Sequence, residues 1–109
     1  MNLILKYAIE IDASDIHITE NKVSWVRAMG NLHKCGEPIS ISDIDEFIEL
    51  VTPNLLEAYI ALRERKQMNP IDGAFKYMFR RFRINIYRGM DGINLAIRLL
   101  SDKILSLEE

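Results

Sequence analysis

Cysteine is nearly absent. The single Cys35 in 109 residues excludes an intramolecular disulfide and a multi-cysteine zinc site, and it suits a reducing compartment. As a small residue in or beside a strand it needs no reactive role. Long apolar runs are missing too: the N-terminal MNLILKYAIEID is interrupted by Lys6 and Glu10 and has no basic segment before it, so it is neither a signal peptide nor a membrane span. No G-x-x-x-x-G-K-[ST] run occurs, which removes the P-loop as a phosphate cradle. Nor is there an internal repeat, a low-complexity tract or a linker.

What is present has the balance of an ordinary globular domain, 49% hydrophobic and 28% charged, long enough for one modest core. The formal net charge of -2 conceals a segregation along the chain. Residues 37–64 hold seven acids and one base, Arg63; residues 73–100 hold six bases and one acid, Asp91. That asymmetry points to an anion-facing element on a neutralising scaffold.

Periodicity supplies the elements. Leu3, Ile4, Tyr7, Ala8 and Ile11 fall at helical spacing over residues 3–12. Asp15-Ile16-His17-Ile18-Thr19 alternates as a strand. Residues 23–29 and 32–35 follow as a hairpin about a Gly30-Asn31 turn. Ser42 with Asp45 three residues on predicts a capped helix burying Ile44, Phe47, Ile48 and Val51. Thr52-Pro53 predicts a second helix, with Thr52 as cap and Leu55, Leu56, Tyr59 and Ile60 on its apolar face, and Leu62 as a further candidate for it. Three strands, near 73–79, 80–87 and 93–100, complete the order α-β-β-β-α-α-β-β-β. This predicts an α+β fold: an antiparallel sheet of about six strands with helices gathered mainly on one face.

In the last hairpin Phe82, Ile84 and Ile86 alternate with Arg81, Arg83 and Asn85, and Ile93, Leu95, Ile97 and Leu99 alternate with Asn94, Ala96 and Arg98. An Asp91-Gly92 turn places Asn85 opposite Arg98; a Met90-Asp91 turn places Arg83 opposite Arg98. Either leaves Arg81, Arg83 and Arg98 on one face. Guanidinium groups so arranged grip phosphate or carboxylate oxygens well. They also suit a solvated strand face whose stems cover apolar neighbours, and the pattern alone does not choose between the two.

The ordered set ASDIHIT, VRAMGNL, IDGAF, RRFRINIY and INLAIR resembles the N-terminal domain of the type II/type IV secretion ATPase superfamily, in particular the PilT-type pilus retraction ATPases. The usual forms there are Ala-Ser-Asp-Leu-His-Leu, Arg-Val-Asp-Gly, an Asp-Phe step and Arg-Phe-Arg-Val-Asn, with a later arginine closing the final apolar strand. The resemblance covers nearly the whole chain. It implies a PAS-like domain over residues 1–100, and in 101–109 the start of a connection to a RecA-like ATPase domain. On that expectation the chain is a fragment cut at a domain boundary that does not hydrolyse ATP by itself.

By position, Arg83 and Arg98, fifteen residues apart, match the family's phosphate-facing arginines, with Arg81 as a lesser candidate. The resemblance implies that they reach nucleotide at the interface with the ATPase domain of a neighbouring subunit in a hexamer, with ATP and Mg bound by the full-length protein. It also implies a cytoplasmic location beside an inner-membrane platform protein, without membrane insertion. Asp15, His17, Arg27 and Asp72 fall on the family's structural or interface motifs, Asp72 in a turn-stabilising place. Departures occur: Arg27-Ala28-Met29-Gly30 lacks the turn acid, Gly89 stands where Gln is common, and Asp91 replaces a frequent base.

Asp15 and His17 share a strand face, but no third ligand or nucleophile accompanies them, which favours hydrogen bonding over metal or acid–base chemistry. His33 reads as a surface residue. Trp25 and Tyr87 suit interface anchors or a cover for the sheet. The alternative to a motor domain is a free-standing PAS-like module that binds a small ligand or a protein. Nucleic-acid binding, with Tyr87 stacking on a base, is disfavoured by the acidic remainder and the pI of about 5.7.

Overall fold

The computed structural model describes residues 2–100; the expected connection at 101–109 lies outside them. The elements are α1 (Asn2–Glu10), β1 (Asp15–Thr19), β2 (Lys22–Ala28), β3 (Asn31–Ile39), α2 (Ile41–Val51), a 3-10 turn (Pro53–Leu55), α3 (Leu56–Arg63), β4 (Ile71–Tyr77), β5 (Arg80–Gly89) and β6 (Gly92–Leu99). All six strands form one sheet in the order β3-β2-β1-β6-β5-β4, with every neighbouring pair antiparallel. The α+β architecture and element order are those expected. β1 is inserted between its hairpin partner β2 and the last strand β6.

Strand alternation divides the sheet. Ile16, Ile18, Val26, Phe75, Phe82, Ile84, Ile86, Leu95 and Ile97 are buried with Leu5 and Ala8 of α1, Phe47 and Ile48 of α2, and Tyr59 and Leu62 of α3. The phase of α1 differs from expectation: Leu5 is fully buried, whereas Leu3 is exposed. Arg88 ties α3 to the sheet, its Nε donating to the Leu62 carbonyl at 3.3 Å and its Nη2 to that of Arg63. A cation there also complements the negative end of the helix.

Several local readings need correction. The cap of α2 is Ser40, not Ser42: its Oγ accepts from the Asp43 amide and the Asp43 carboxylate accepts from the Ser40 amide, both at 3.2 Å. The segment Ser40-Ile41-Ser42-Asp43-Ile44-Asp45 offers the same capping pattern twice. The earlier one wins because β3 runs on to Ile39, and it releases Asp45 to accept from Tyr59 Oη at 2.5 Å and Arg63 Nη1 at 2.6 Å.

Thr52 does not cap by its side chain; its hydroxyl bonds back to the Ile48 carbonyl at 3.3 Å. β3 is longer than the predicted 32–35, because a two-residue shift of register between Lys22 and Ser24 accommodates Gly36 at φ 72° and Pro38 on this edge strand. The β2–β3 turn is Met29-Gly30, one residue earlier than expected, with Ala28 paired to Asn31.

Candidate phosphate-binding face

Of the two hairpin registers open from the sequence, the structure takes the one with Gly89 opposite Gly92, which sets Arg83 directly across from Arg98. The turn residues are Met90 and Asp91, and the positive φ falls on Gly92, at 112°. The Glu20 side chain folds over Gly92, where a Cβ would collide with it, and its Oε1 accepts from the Ile93 amide at 2.6 Å. A substitution at Gly92 meets both the backbone conformation and this carboxylate.

The insertion of β1 beside β6 completes the face. Asp15 lies opposite Arg27 on one side and Arg98 on the other, so Arg27, Asp15, Arg98 and Arg83 form one row across four strands. The next row is Trp25, His17, Ala96, Asn85 and Asp72. A depression of about 600 Å³ over these rows is lined by Asp15, His17, Arg27, Asp72, Arg83 and Arg98, with Asn85 and Ala96 among the rest. Every site residue singled out in the sequence except Arg81 thus lines one concavity. Arg81 lies on the same face, opposite Lys76, nearer the β4–β5 turn.

Charge is only partly balanced within the depression. Arg98 Nε reaches Asp15 Oδ1 at 3.3 Å, and the other carboxylate oxygen accepts from Ser14 Oγ at 2.8 Å. Asp72 Oδ1 accepts from Asn85 Nδ2 at 2.9 Å across the β4–β5 pair, so Asp72 acts within the sheet and not in a turn. Among the described residues, Arg83 and Arg27 make no ion pair. Three guanidinium groups therefore face two carboxylates, and Ala96 keeps the floor low between them. The donor set suits an anion with several oxygens.

Among the described residues no three His, Cys, Asp or Glu side chains gather into a group able to hold a metal ion. Asp15 and His17 stand among arginines. Trp25 lies beyond His17, with Lys34 Nζ 5.3 Å from its ring centroid, and His33 is exposed. Cys35 is half-buried on the edge strand, and burial pushes its thiol pKa up, away from thiolate chemistry. No helix among the described residues is long and apolar enough to cross a membrane.

Asn85, Ala96 and Ser14 were missed as site members. Alternation already set Asn85 and Ala96 on the arginine face, but no local signal brings Ser14 and Asp15 to Arg98, because that contact spans almost the whole chain.

Solved structures share this fold. The X-ray structure of the Legionella pneumophila ATPase DotB matches with a TM-score of 0.70 and 23% identity over 97% of this chain and 33% of that one. The crystal structure of the pilus retraction motor PilT with bound ADP matches with a TM-score of 0.64 and 24% identity over 95% of this chain and 33% of that one. For the Yersinia pseudotuberculosis ATPase DotB the TM-score is 0.62 and the identity 17%, over 92% and 29%. The chain thus spans about a third of the length of these ATPases, and the likeness establishes a common fold. No protein-family model and no curated protein matches the sequence.

Proposed function

We propose that this chain is the N-terminal domain of a pilus or secretion motor ATPase, and that Arg83 and Arg98 grip the phosphates of a nucleotide held chiefly by the ATPase domain of a neighbouring subunit. The observation that carries this reading is the direct opposition of Arg83 and Arg98 on the solvent face, with Arg83 unengaged by any described carboxylate. Like charges at such a cross-strand site repel, and an anion between them removes the penalty. The fold shared with DotB and with the ADP-bound motor PilT supports the same direction.

The arginines fit phosphate oxygens, and on this reading ATP and Mg are bound principally by the ATPase domain. This chain's part is to orient and neutralise. Arg83 and Arg98 approach the terminal phosphates from one side, Asp15 partly offsets the charge of Arg98, and Arg27 adds positive potential at the edge of the depression. Developing charge on the transferred phosphoryl group is then met by donors fixed on two paired strands. The partners implied are the neighbouring ATPase domain and an inner-membrane platform protein.

The test has two arms. Inorganic tripolyphosphate titrated into the 109-residue chain should shift the amide resonances of Arg83, Arg98 and their strand neighbours, and Arg83→Ala should weaken binding about tenfold. In a chain that also carries the ATPase domain, Arg83→Ala or Arg98→Ala should lower ATP turnover by about 100-fold or more. Unchanged turnover in both variants removes the proposed role.

A further inference from the structure

The β4–β5 hairpin ends in Lys76-Tyr77-Met78-Phe79-Arg80-Arg81, with Tyr77 paired to Arg80. Its two turn residues are Met78 and Phe79, both at positive φ, 50° and 66°. This is the backbone of a type I′ turn, where Asn-Gly is favoured because each position crowds a Cβ. Methionine and phenylalanine resist this region. Burial does not compensate them, since Phe79 is 100% exposed and Met78 51%. Two large apolar side chains that strain their own turn and project into solvent have no use inside the fold, and such a conflict points to a role outside it.

The surroundings of the tip give its chemistry. Lys76 and Arg81 are cross-strand partners immediately behind the turn, on the face that carries Arg83, and Arg80 flanks the turn with its guanidinium 3.9 Å from Asp12. The strand order puts the Met29-Gly30 turn at the same end of the sheet, about 19 Å away at four interstrand spacings. Met29 repeats the anomaly, with φ 51° and 94% exposure.

We propose that this end of the sheet docks on an anionic lipid surface, with Phe79 and Met78 entering the acyl boundary, Lys76 taking a headgroup phosphate, and Met29 as a second, lesser contact. Apolar residues at a convex tip with bases directly behind them match the layering of a bilayer interface, hydrocarbon beneath a plane of phosphate. A protein partner would need a packed, enclosed centre, whereas the tip is convex and the depression lined by Arg83 and Arg98 does not include it. The proposal is independent of nucleotide binding at Arg83 and Arg98.

Co-sedimentation of the 109-residue chain with vesicles tests it. Binding is expected to phosphatidylcholine–phosphatidylglycerol vesicles in equal parts and to be far weaker to phosphatidylcholine alone. Phe79→Asn should reduce partitioning about tenfold or more, and Lys76→Gln about fivefold. Because Asn tolerates positive φ, Phe79→Asn should also raise Tm, which separates lost contact from lost fold. Absence of binding, equal binding to both vesicle types, or full binding by Phe79→Asn overturns the proposal. So does self-association that Phe79→Asn abolishes while no vesicle is bound, the result expected if the tip meets protein.

Discussion

On one side of β5, Phe82, Ile84 and Ile86 are sealed beneath the helices; on the other, Arg81, Arg83 and Asn85 meet solvent around an open depression. The same ten residues, Arg80–Gly89, build both. The helix-covered face is specified by burial, so its members exchange with apolar residues of similar volume but not with polar ones or with residues of different size. The open face depends more on charge, although the small Ala96 also keeps its floor low. Substitutions on the two faces should therefore separate cleanly into those that read out in stability and those that read out in anion affinity.

The largest effect belongs to the covered face. Phe82 is fully buried and stacks on Phe75 with ring centroids 4.8 Å apart, while Phe75 meets Phe47 edge-on at 5.9 Å. Phe82→Ala should cost about 3–5 kcal/mol in urea unfolding. A loss under about 1 kcal/mol would break the contrast between faces, since that is what an exposed site shows.

Next comes the polar cluster within the helical layer. Burial pushes the Tyr59 phenol well above the ordinary tyrosine value of 10.0, and the hydrogen bond to Asp45 and that residue's charge push further, with Arg63 opposing. Unfolded, the phenol ionises near pH 10; folded, it keeps its proton. Its contribution is therefore complete below pH 10 and lost as pH rises beyond that toward the folded value. Thermal melts from pH 8 upward should show wild type losing stability above pH 10 more steeply than Tyr59→Phe. Parallel profiles would mean that the phenol ionises equally in both states. At neutral pH, Asp45→Ala should cost about 1–3 kcal/mol, because it strands the phenol and removes the nearer of two carboxylates at Arg63.

These predictions rest on unequal amounts of sequence information. The alternation that buries Phe82 and exposes Arg83 is written within β5, as is the stripe of Ile44, Phe47 and Ile48 in α2, and both were legible. The partnership of Asp45 was not, because Ser40 and Ser42 offer equivalent caps and only the reach of β3 decides between them. The Met90-Asp91 turn likewise needed the sheet around it, since Glu20 reaches over Gly92 from the β1–β2 turn. Least legible was the seat of β1 against β6. Pairing at that sequence separation is decided by how the whole sheet closes, and it alone brings Asp15 to Arg98. The resemblance to secretion ATPases anticipated the fold, but not which carboxylate holds which arginine.

On the open face, Asp15→Asn should sharpen the contrast. The pair with Arg98 is uneven, the arginine side chain 72% exposed and the aspartate 21%. Removing the carboxylate charge should cost less than about 1 kcal/mol. It also leaves Arg27, Arg83 and Arg98 without the negative charge in their row, so tripolyphosphate affinity should rise several-fold. A fall in affinity would show that Asp15 is needed chiefly to hold Arg98 in place.

The smallest stability effect is the most discriminating. Arg83 faces Arg98 across a strand pair, a like-charge opposition that costs a few tenths of a kcal/mol up to about 1 kcal/mol. It makes no described ion pair to offset that cost, and its exposed side chain leaves little packing to lose. Arg83→Thr keeps a residue suited to a strand and removes the repulsion, so stability should stay level or rise by up to about 1 kcal/mol. Tripolyphosphate binding should fall about tenfold in the same variant. Gain of stability with loss of anion affinity is the signature of a residue kept for a ligand and not for the fold. Destabilisation by more than about 1 kcal/mol would instead assign Arg83 to the packing of the sheet, and with it the open face would lose its claim to a separate logic.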